Sequence, residues 1–436
     1  MKKIIKYITV FLIMIIMFCT ILTLTSAIPK QFIEKKVNES AEILTQQKDM
    51  FFVLIRFKKI YMLFDNYTDA LMINTAYSIN SKTPFYSAIV ARKNYIDGTT
   101  EVIHKDEVGE LKSDSKYEEL TQVGDLNDTL NNNTKESFEY ARYWHGYLIL
   151  LRPLLIFFNI TQIRIISYVI LACLALVLLY KICKKIDIPT AVIFLIGLII
   201  CDYFFIGLSL QGTPVFLITM IASIIILDRD IKDKSLLFLI IGGLTAFFDF
   251  LTVPIITLGI PLIVNIMKTK NDHLSENFKT IFMCCLMWGI GYLGVFLSKW
   301  IIADILFKKA LIVTSFEQLK YRTVSNNSDK PIKLFGVFAL NFKIVMQQFF
   351  IGLLITELIT ENKFAISRGN IKLNFRKLFL YLIIGSLGIV WFIVLKQHSF
   401  KHSYFTYRNF FLISVGLMLG IYNLFERGKD DKNNKE

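Results

Sequence analysis

Between Ile8 and Leu24 the chain carries no charge and little polarity, and stretches of the same character recur about nine more times before residue 425. A helix needs about 20 apolar residues to cross the hydrocarbon of a bilayer. No water is present there to satisfy a backbone that is not helical or closed into a barrel. The expected fold is therefore an all-α polytopic membrane protein of about ten transmembrane helices. After the first, the spans fall at about 163–181, 188–208, 213–228, 235–250, 251–267, 280–302, 340–358, 377–395 and 407–424. Hydrophobic residues make up 54% of the chain and charged ones 19%, too few to cover a soluble domain of 436 residues.

The formal net charge of +14 could point to nucleic acid, but where the cations fall points elsewhere. Lys2, Lys3 and Lys6 precede the first span. Lys181/Lys184/Lys185, Arg229/Lys232/Lys234, Lys268/Lys270/Lys279 and Lys363/Arg368/Lys372/Arg376/Lys377 then fall on the same side, as do Arg427, Lys429 and Lys432. Cationic flanks remain on the inner face of a membrane, so both termini are expected in the cytoplasm of a plasma-membrane protein. No basic stripe accompanies a nucleic-acid motif, and no nucleic-acid partner is expected.

This reading divides the chain into a first helix (1–27), an extracytoplasmic loop domain of α or mixed structure with interfacial helices (28–162), helices 2–7 (163–302), a second outer loop (303–339), helices 8–10 (340–424) and a cytoplasmic tail (425–436). Thr25-Ser26-Ala27 loosely fits a signal-peptidase site, but the apolar run is longer than a signal core, which favours an uncleaved span. The stretch Met50–Phe64, broken by Arg56, Lys58 and Lys59, reads as an amphipathic segment on the bilayer surface. Residues 146–160 are too short to cross comfortably and contain Arg152-Pro153, so they read as interfacial or re-entrant. The polar middle of the loop domain, about 97–138, suits acceptor recognition. All six cysteines lie in or beside apolar spans, with no CxxC pattern, and read as small hydrophobes.

Four clusters carry residues capable of chemistry, all at the outer face. Asp65 and Asp69 stand four apart at a helix start, either as caps or as a general base in a partly desolvated setting. Arg142, Tyr143, Trp144 and His145, followed by Arg152, are either an interfacial aromatic belt or a surface that stacks on a sugar and pairs with phosphate. Asp249 precedes Pro254 and is either a helix-break cap or an intramembrane functional acid. His398, Lys401, His402, Tyr404 and Arg408 crowd a short outer loop where cations are unusual, so a phosphate partner is favoured there. The His398/His402 spacing lacks a third ligand for zinc. A Gly-rich phosphate loop, GxSxG and HExxH are all absent from the sequence.

One ordering of these features resembles the GT-C superfamily of bacterial integral membrane glycosyltransferases. A first span is followed by a long outer loop with acidic residues (Asp65/Asp69). Next comes a stretch rich in His, Pro and aromatics (Tyr143–Pro153), then an Arg-containing start to the second span (Ile163-Arg164 with Ser167). Asp65 lies farther from the first span than is usual, and Ile163-Arg164-Ile165-Ile166-Ser167 stands where such proteins carry an Arg-Leu-Pro-Ser type signature. The resemblance implies a polyprenyl-phosphate-linked sugar as donor and a glycan, lipid or protein of the envelope as acceptor. It implies Asp69 or Asp65 as base, and Arg142, Arg152, Lys401 and Arg408 as phosphate-binding residues. Whether a divalent cation is required as cofactor is not set by the sequence. The rival is a non-catalytic polysaccharide flippase or assembly protein, which would spread polar residues along several spans. Here Lys299 and Asp202 are nearly alone within them.

Overall fold

The computed structural model describes residues 2–47, 51–57, 60–95, 122–134, 136–269, 273–323, 332–367 and 371–427. Residues 96–121 of the expected loop domain and the basic residues Lys270, Arg368, Lys429 and Lys432 lie outside the described residues. The chain opens with α1 (Lys2–Ser26) and α2 (Gln31–Gln47), then β1 (Phe51–Phe57), β2 (Ile60–Asp65), α3 (Asn66–Tyr77), α4 (Pro84–Ile89), β3 (Arg92–Tyr95), α5 (Gln122–Leu130) and β4 (Glu136–Glu139). The helical body follows as α6 (Leu148–Phe157), α7 (Ile160–Lys185), α8 (Ile188–Ile200), α9 (Tyr203–Ile206), α10 (Thr213–Asp228), α11 (Lys234–Phe248), α12 (Ile256–Lys268), α13 (Leu274–Phe307), α14 (Leu311–Thr323) and α15 (Leu334–Ile366). It ends with β5 (Ile371–Leu373), α16 (Phe375–Val394), α17 (Lys396–Lys401), α18 (Ser403–Thr406), a 3₁₀ turn (Tyr407–Asn409), α19 (Phe410–Leu424) and β6 (Phe425–Arg427).

Among the described residues, six helical segments are long and apolar enough to cross a membrane: α1, α7, α13, α15, α16 and the run Ser403–Leu424. The other four expected spans correspond to shorter apolar helices, α8, α10, α11 and α12. At 1.5 Å per residue the 13 residues of α8 reach about 20 Å, short of a hydrocarbon core of about 30 Å. The expected span 188–208 breaks because Asp202 adopts a left-handed backbone (φ 50°) and starts a new turn. Likewise 251–267 begins late, after Leu251 (φ 67°) and Pro254. Within the expected amphipathic stretch, of which Met50, Lys58 and Lys59 lie outside the described residues, β1 and β2 pair antiparallel, Phe51 with Asp65 and Phe57 with Ile60. Their β-branched and aromatic residues favour a pleated strand, and a connection as short as 58–59 favours a hairpin.

In α2, Ile33, Val37, Ala41 and Leu44 fall on one face and are buried. Their spacing is that of a helix with one apolar stripe. This face joins the same continuous core as α3, α6 and the membrane helices, so α2 and α3 share their packing with the bundle. Arg152 secures the junction. Fully buried, it donates to the carbonyls of Thr25 and Ile28 at the end of α1 and of Ala76 in the last turn of α3. Helix C-termini leave carbonyls without intrahelical partners, and a guanidinium answers several at once.

α11 and α13 approach to backbone contact at two glycines. A Cβ on Gly242 would lie 2.1 Å from the Trp288 carbonyl oxygen, and one on Gly291 2.1 Å from that of Leu239. Small residues let membrane helices approach to backbone contact. Gly242→Val should therefore destabilise the protein by about 3 kcal/mol, read as a lower Tm in detergent. Gly289→Val should leave Tm unchanged, because nothing lies within 4 Å of a Cβ placed there. Equal effects from the two would remove the close approach as the cause.

Candidate functional site

Local turns place the site's side chains. β2 ends at Asp65, whose Oδ1 accepts from the Thr68 amide at 2.9 Å and so caps α3. One turn on, Asp69 is fully buried. Arg164, in the first turns of α7, is held there by the start of that helix, where Asn159 and Gln162 form a reciprocal capping box. Its Nε and Nη2 donate to Asp69 Oδ2 at 2.9 and 2.7 Å, and Nη2 also reaches Asn66 Oδ1 at 2.9 Å. The Leu210 amide donates to Asp69 Oδ1 at 2.9 Å. Both oxygens of Asp69 are thus engaged, and Asp69 ties α3 to α7 and to the 207–212 turn.

The segment 142–144 is stitched to α13 through its main chain. Lys299 Nζ donates to the Tyr143 carbonyl, Trp300 Nε1 to that of Arg142 at 3.0 Å, and Trp144 Nε1 to the Val295 carbonyl at 2.7 Å. The result directs Arg142 and Tyr143 into a cavity and buries Trp144 against Phe18 and Phe247. Asp249 is buried in the α11–α12 turn, where it accepts from the amide and hydroxyl of Thr252.

Two adjoining cavities share Gln211, Tyr404 and Phe405 in their walls. The first, of about 240 Å³, is lined by Arg142, Tyr143, Arg322, His398, Lys401 and His402, with Tyr67, Lys93 and Phe250 among its other walls. The second, of about 360 Å³, is lined by Asp65, Asp202, Lys343, Gln348, Tyr407 and Arg408. Tyr407 donates to Asp202 at 2.6 Å, and the Arg408 guanidinium lies over the Tyr407 ring, 4.9 Å from its centroid. Among the described residues Arg408 Nε is buried without a hydrogen-bond partner.

Protonation is legible from these contacts. Burial, with the Asp69 charge adding to it, pushes the Asp65 carboxyl up to about 6. His398 Nε2 lies 2.8 Å from the Leu251 carbonyl, which can only accept, so that nitrogen carries the hydrogen. Nδ1 is then left to accept from Arg322 at 3.3 Å. Burial and the Arg322 charge hold His398 well below its ordinary pKa; the same two causes and Lys401 push His402 down to about 4. Both imidazoles are neutral near pH 7, so the positive charge facing the first cavity belongs to Arg142, Arg322 and Lys401. His145 is buried beneath Tyr140, Tyr143 and Phe250, and burial with the nearby Lys299 charge pushes it down to about 3. Among the described residues, no three His, Cys, Asp or Glu side chains gather to hold a metal ion.

Of the residues singled out in the sequence, the structure brings together Asp65, Arg142, Tyr143, His398, Lys401, His402, Tyr404 and Arg408 around the paired cavities. Asp69, Trp144, His145, Arg152 and Asp249 line neither and are engaged in packing or capping. Arg152 in particular is spent on three main-chain carbonyls, because the ends of α1 and α3 converge on it. Arg322, Lys343, Asp202 and Gln211 were not anticipated at the site. The cationic segment around 308–333, which holds Arg322, was the available signal, since the sequence reading puts it outside, where positive charge runs against the inside bias. Set beside known proteins, the chain matches no protein-family model, no curated protein and no solved structure.

Proposed function

We propose that the chain is a plasma-membrane glycosyltransferase that moves a sugar from a polyprenyl-phosphate donor to an envelope glycan, lipid or protein acceptor at the outer face. The reading includes ten crossings, with the four short helices as thin or tilted spans, residues 28–162 outside and both termini inside. Its polarity is supported by Lys6 of α1 pairing with Asp233, just before α11, at 3.1 Å, which gathers inner-side basic segments at one end. The Asp65 cavities open among the 202–212 and 396–408 connections, which the same polarity puts outside.

The observation that carries the reading is Asp65 in a cavity wall with Asp202, Arg408 and Lys343, where Asp202 already accepts from Tyr407, beside a second cavity faced by Arg142, Arg322 and Lys401. In this mechanism Asp65 takes the proton of an acceptor hydroxyl as that oxygen bonds to the anomeric carbon. The bond from that carbon to the phosphate oxygen breaks, and polyprenyl phosphate leaves with the bonding pair. Guanidinium and ammonium groups fixed in advance stabilise the charge that accumulates on the phosphate. Tyr143 and Tyr404 supply aromatic faces for a sugar. The allocation of the base to Asp65 rests on its place in the cavity wall, whereas Asp69 lines neither cavity and has both oxygens taken.

The test is transfer of a radiolabelled sugar from a polyprenyl-phosphate donor by purified protein in detergent. Arg408→Gln should raise the donor KM about 10- to 100-fold, the value of one charged hydrogen bond. Absence of any transfer or donor hydrolysis across lipid-linked hexoses and pentoses would remove the reading.

A further inference from the structure

α10 joins two ends of the molecule. Gly212, at its start, lines the Asp65 cavity, and Asp228, at its end, lines a different pocket of about 720 Å³. The 16 residues between put the two about 24 Å apart. We propose that this far pocket is a binding site for a phosphate-bearing headgroup, that of an anionic phospholipid in the leaflet facing it. The proposal requires only that the protein sits in a membrane and is independent of sugar transfer.

Four cations, Lys185, Arg229, Lys234 and Lys268, line the pocket against two carboxylates, Asp228 and Asp230. Asp228 is already held by Lys181 and Lys185, each at 2.7 Å. Among the described residues, Arg229, Lys234 and Lys268 have no carboxylate within 4 Å, and Lys268 Nζ donates only to the main-chain carbonyls of Ile226 and Arg229. The lining therefore carries a surplus of positive charge.

The floor supplies a second, independent sign. Asn265 is 3% exposed, lines this pocket, and its Nδ2 has no hydrogen-bond partner among the described residues. Burying an amide donor without a partner is costly, so a buried donor beside these cations is explained by an acceptor that arrives from outside. Phosphate oxygens meet both needs, as acceptors for the amide and as counter-charge for Arg229, Lys234 and Lys268. The remaining wall includes Leu237 and Phe238 of α11. A lipid brings acyl-glycerol carbon to cover that wall together with its phosphate, whereas a soluble anion leaves it bare. Basic pockets between membrane helices are known to take lipid phosphates in this way.

The experiment uses the full-length protein in neutral detergent, with phosphatidylglycerol or phosphatidylcholine added and lipid retention read by native mass spectrometry beside Tm. Wild type is expected to retain phosphatidylglycerol on the order of tenfold over phosphatidylcholine. The double variant Arg229→Gln/Lys234→Gln should bring that preference close to parity. Asn265→Asp keeps the side-chain shape but sets a carboxylate beneath the phosphate, and should do the same without removing a cation. Two variants of different kind keep the test decisive if one of them fails to fold. Unchanged preference in the folded variants overturns the site. A Tm rise with inorganic phosphate alone, which phosphatidylglycerol does not reproduce, overturns the lipid as its occupant.

Discussion

Asp65→Asn should lower the rate of sugar transfer by about 10²- to 10⁴-fold, the range spanned by a positioned general base. The substitution keeps the side-chain oxygen that caps α3 through the Thr68 amide, so folding and Tm should hold. The loss should appear in kcat, with donor KM little changed, because the phosphate is held by other residues. The pH profile supplies a second reading of the same group. With its pKa raised to about 6, Asp65 is a carboxylate above that pH and a poor base below it. Transfer by the wild-type protein should therefore rise through an acidic limb near pH 6 and be level by pH 8, and the residual activity of Asp65→Asn should lack that limb. His402, pushed down to about 4, cannot supply a limb at that position. A profile in Asp65→Asn that keeps the limb at pH 6 would move the base elsewhere.

Breaking the Asp69–Arg164 pair should instead unfold the protein. Asp69 is fully buried and Arg164 nearly so, and a lone buried charge left by removal of its partner costs about 3–5 kcal/mol. Asp69→Ala strands a guanidinium that does not deprotonate, and Arg164→Met strands a carboxylate held only by the Leu210 amide. Each single change should lower Tm by several degrees. The double change Asp69→Leu/Arg164→Met should recover much of the loss, because it removes both charges together. The contrast with Asp65 is the point of the pair. If Asp69→Asn kept its Tm yet lost transfer as deeply as Asp65→Asn, the two carboxylates would have to exchange roles.

These contrasts show what a linear reading can and cannot reach. Apolar runs are local, so the membrane character and the positions of α1, α7, α13, α15 and α16 were legible in the sequence. Helix breaks inside apolar runs were not, because Asp202 and Leu251 reverse the backbone at positions where hydropathy stays high. The aromatic and basic crowding at 142–152 is conspicuous in the sequence, but local density does not tell a cavity wall from a strut. Tyr143 faces the cavity, whereas Arg152 ties together carbonyls up to 127 residues distant. Likewise Asp65 and Asp69 are equivalent on a sequence spacing argument. Only the arrival of Arg164 and the Leu210 amide, 95 and 141 residues away, separates them. Arg322 escaped notice because it sits on α14, too short and polar to read as a span, yet folded against His398.

The grip of α13 on residues 142 and 143 has a consequence for how such a protein diversifies. Lys299 and Trp300 hold the carbonyl oxygens of those residues, groups that every amino acid possesses. The place each residue occupies is thereby made independent of its identity. Substitution at 142 would change what the cavity wall presents while the main-chain anchor to α13 stays, whereas 143 is less free, because the Tyr143 ring also packs against Tyr140, Phe250 and Phe296.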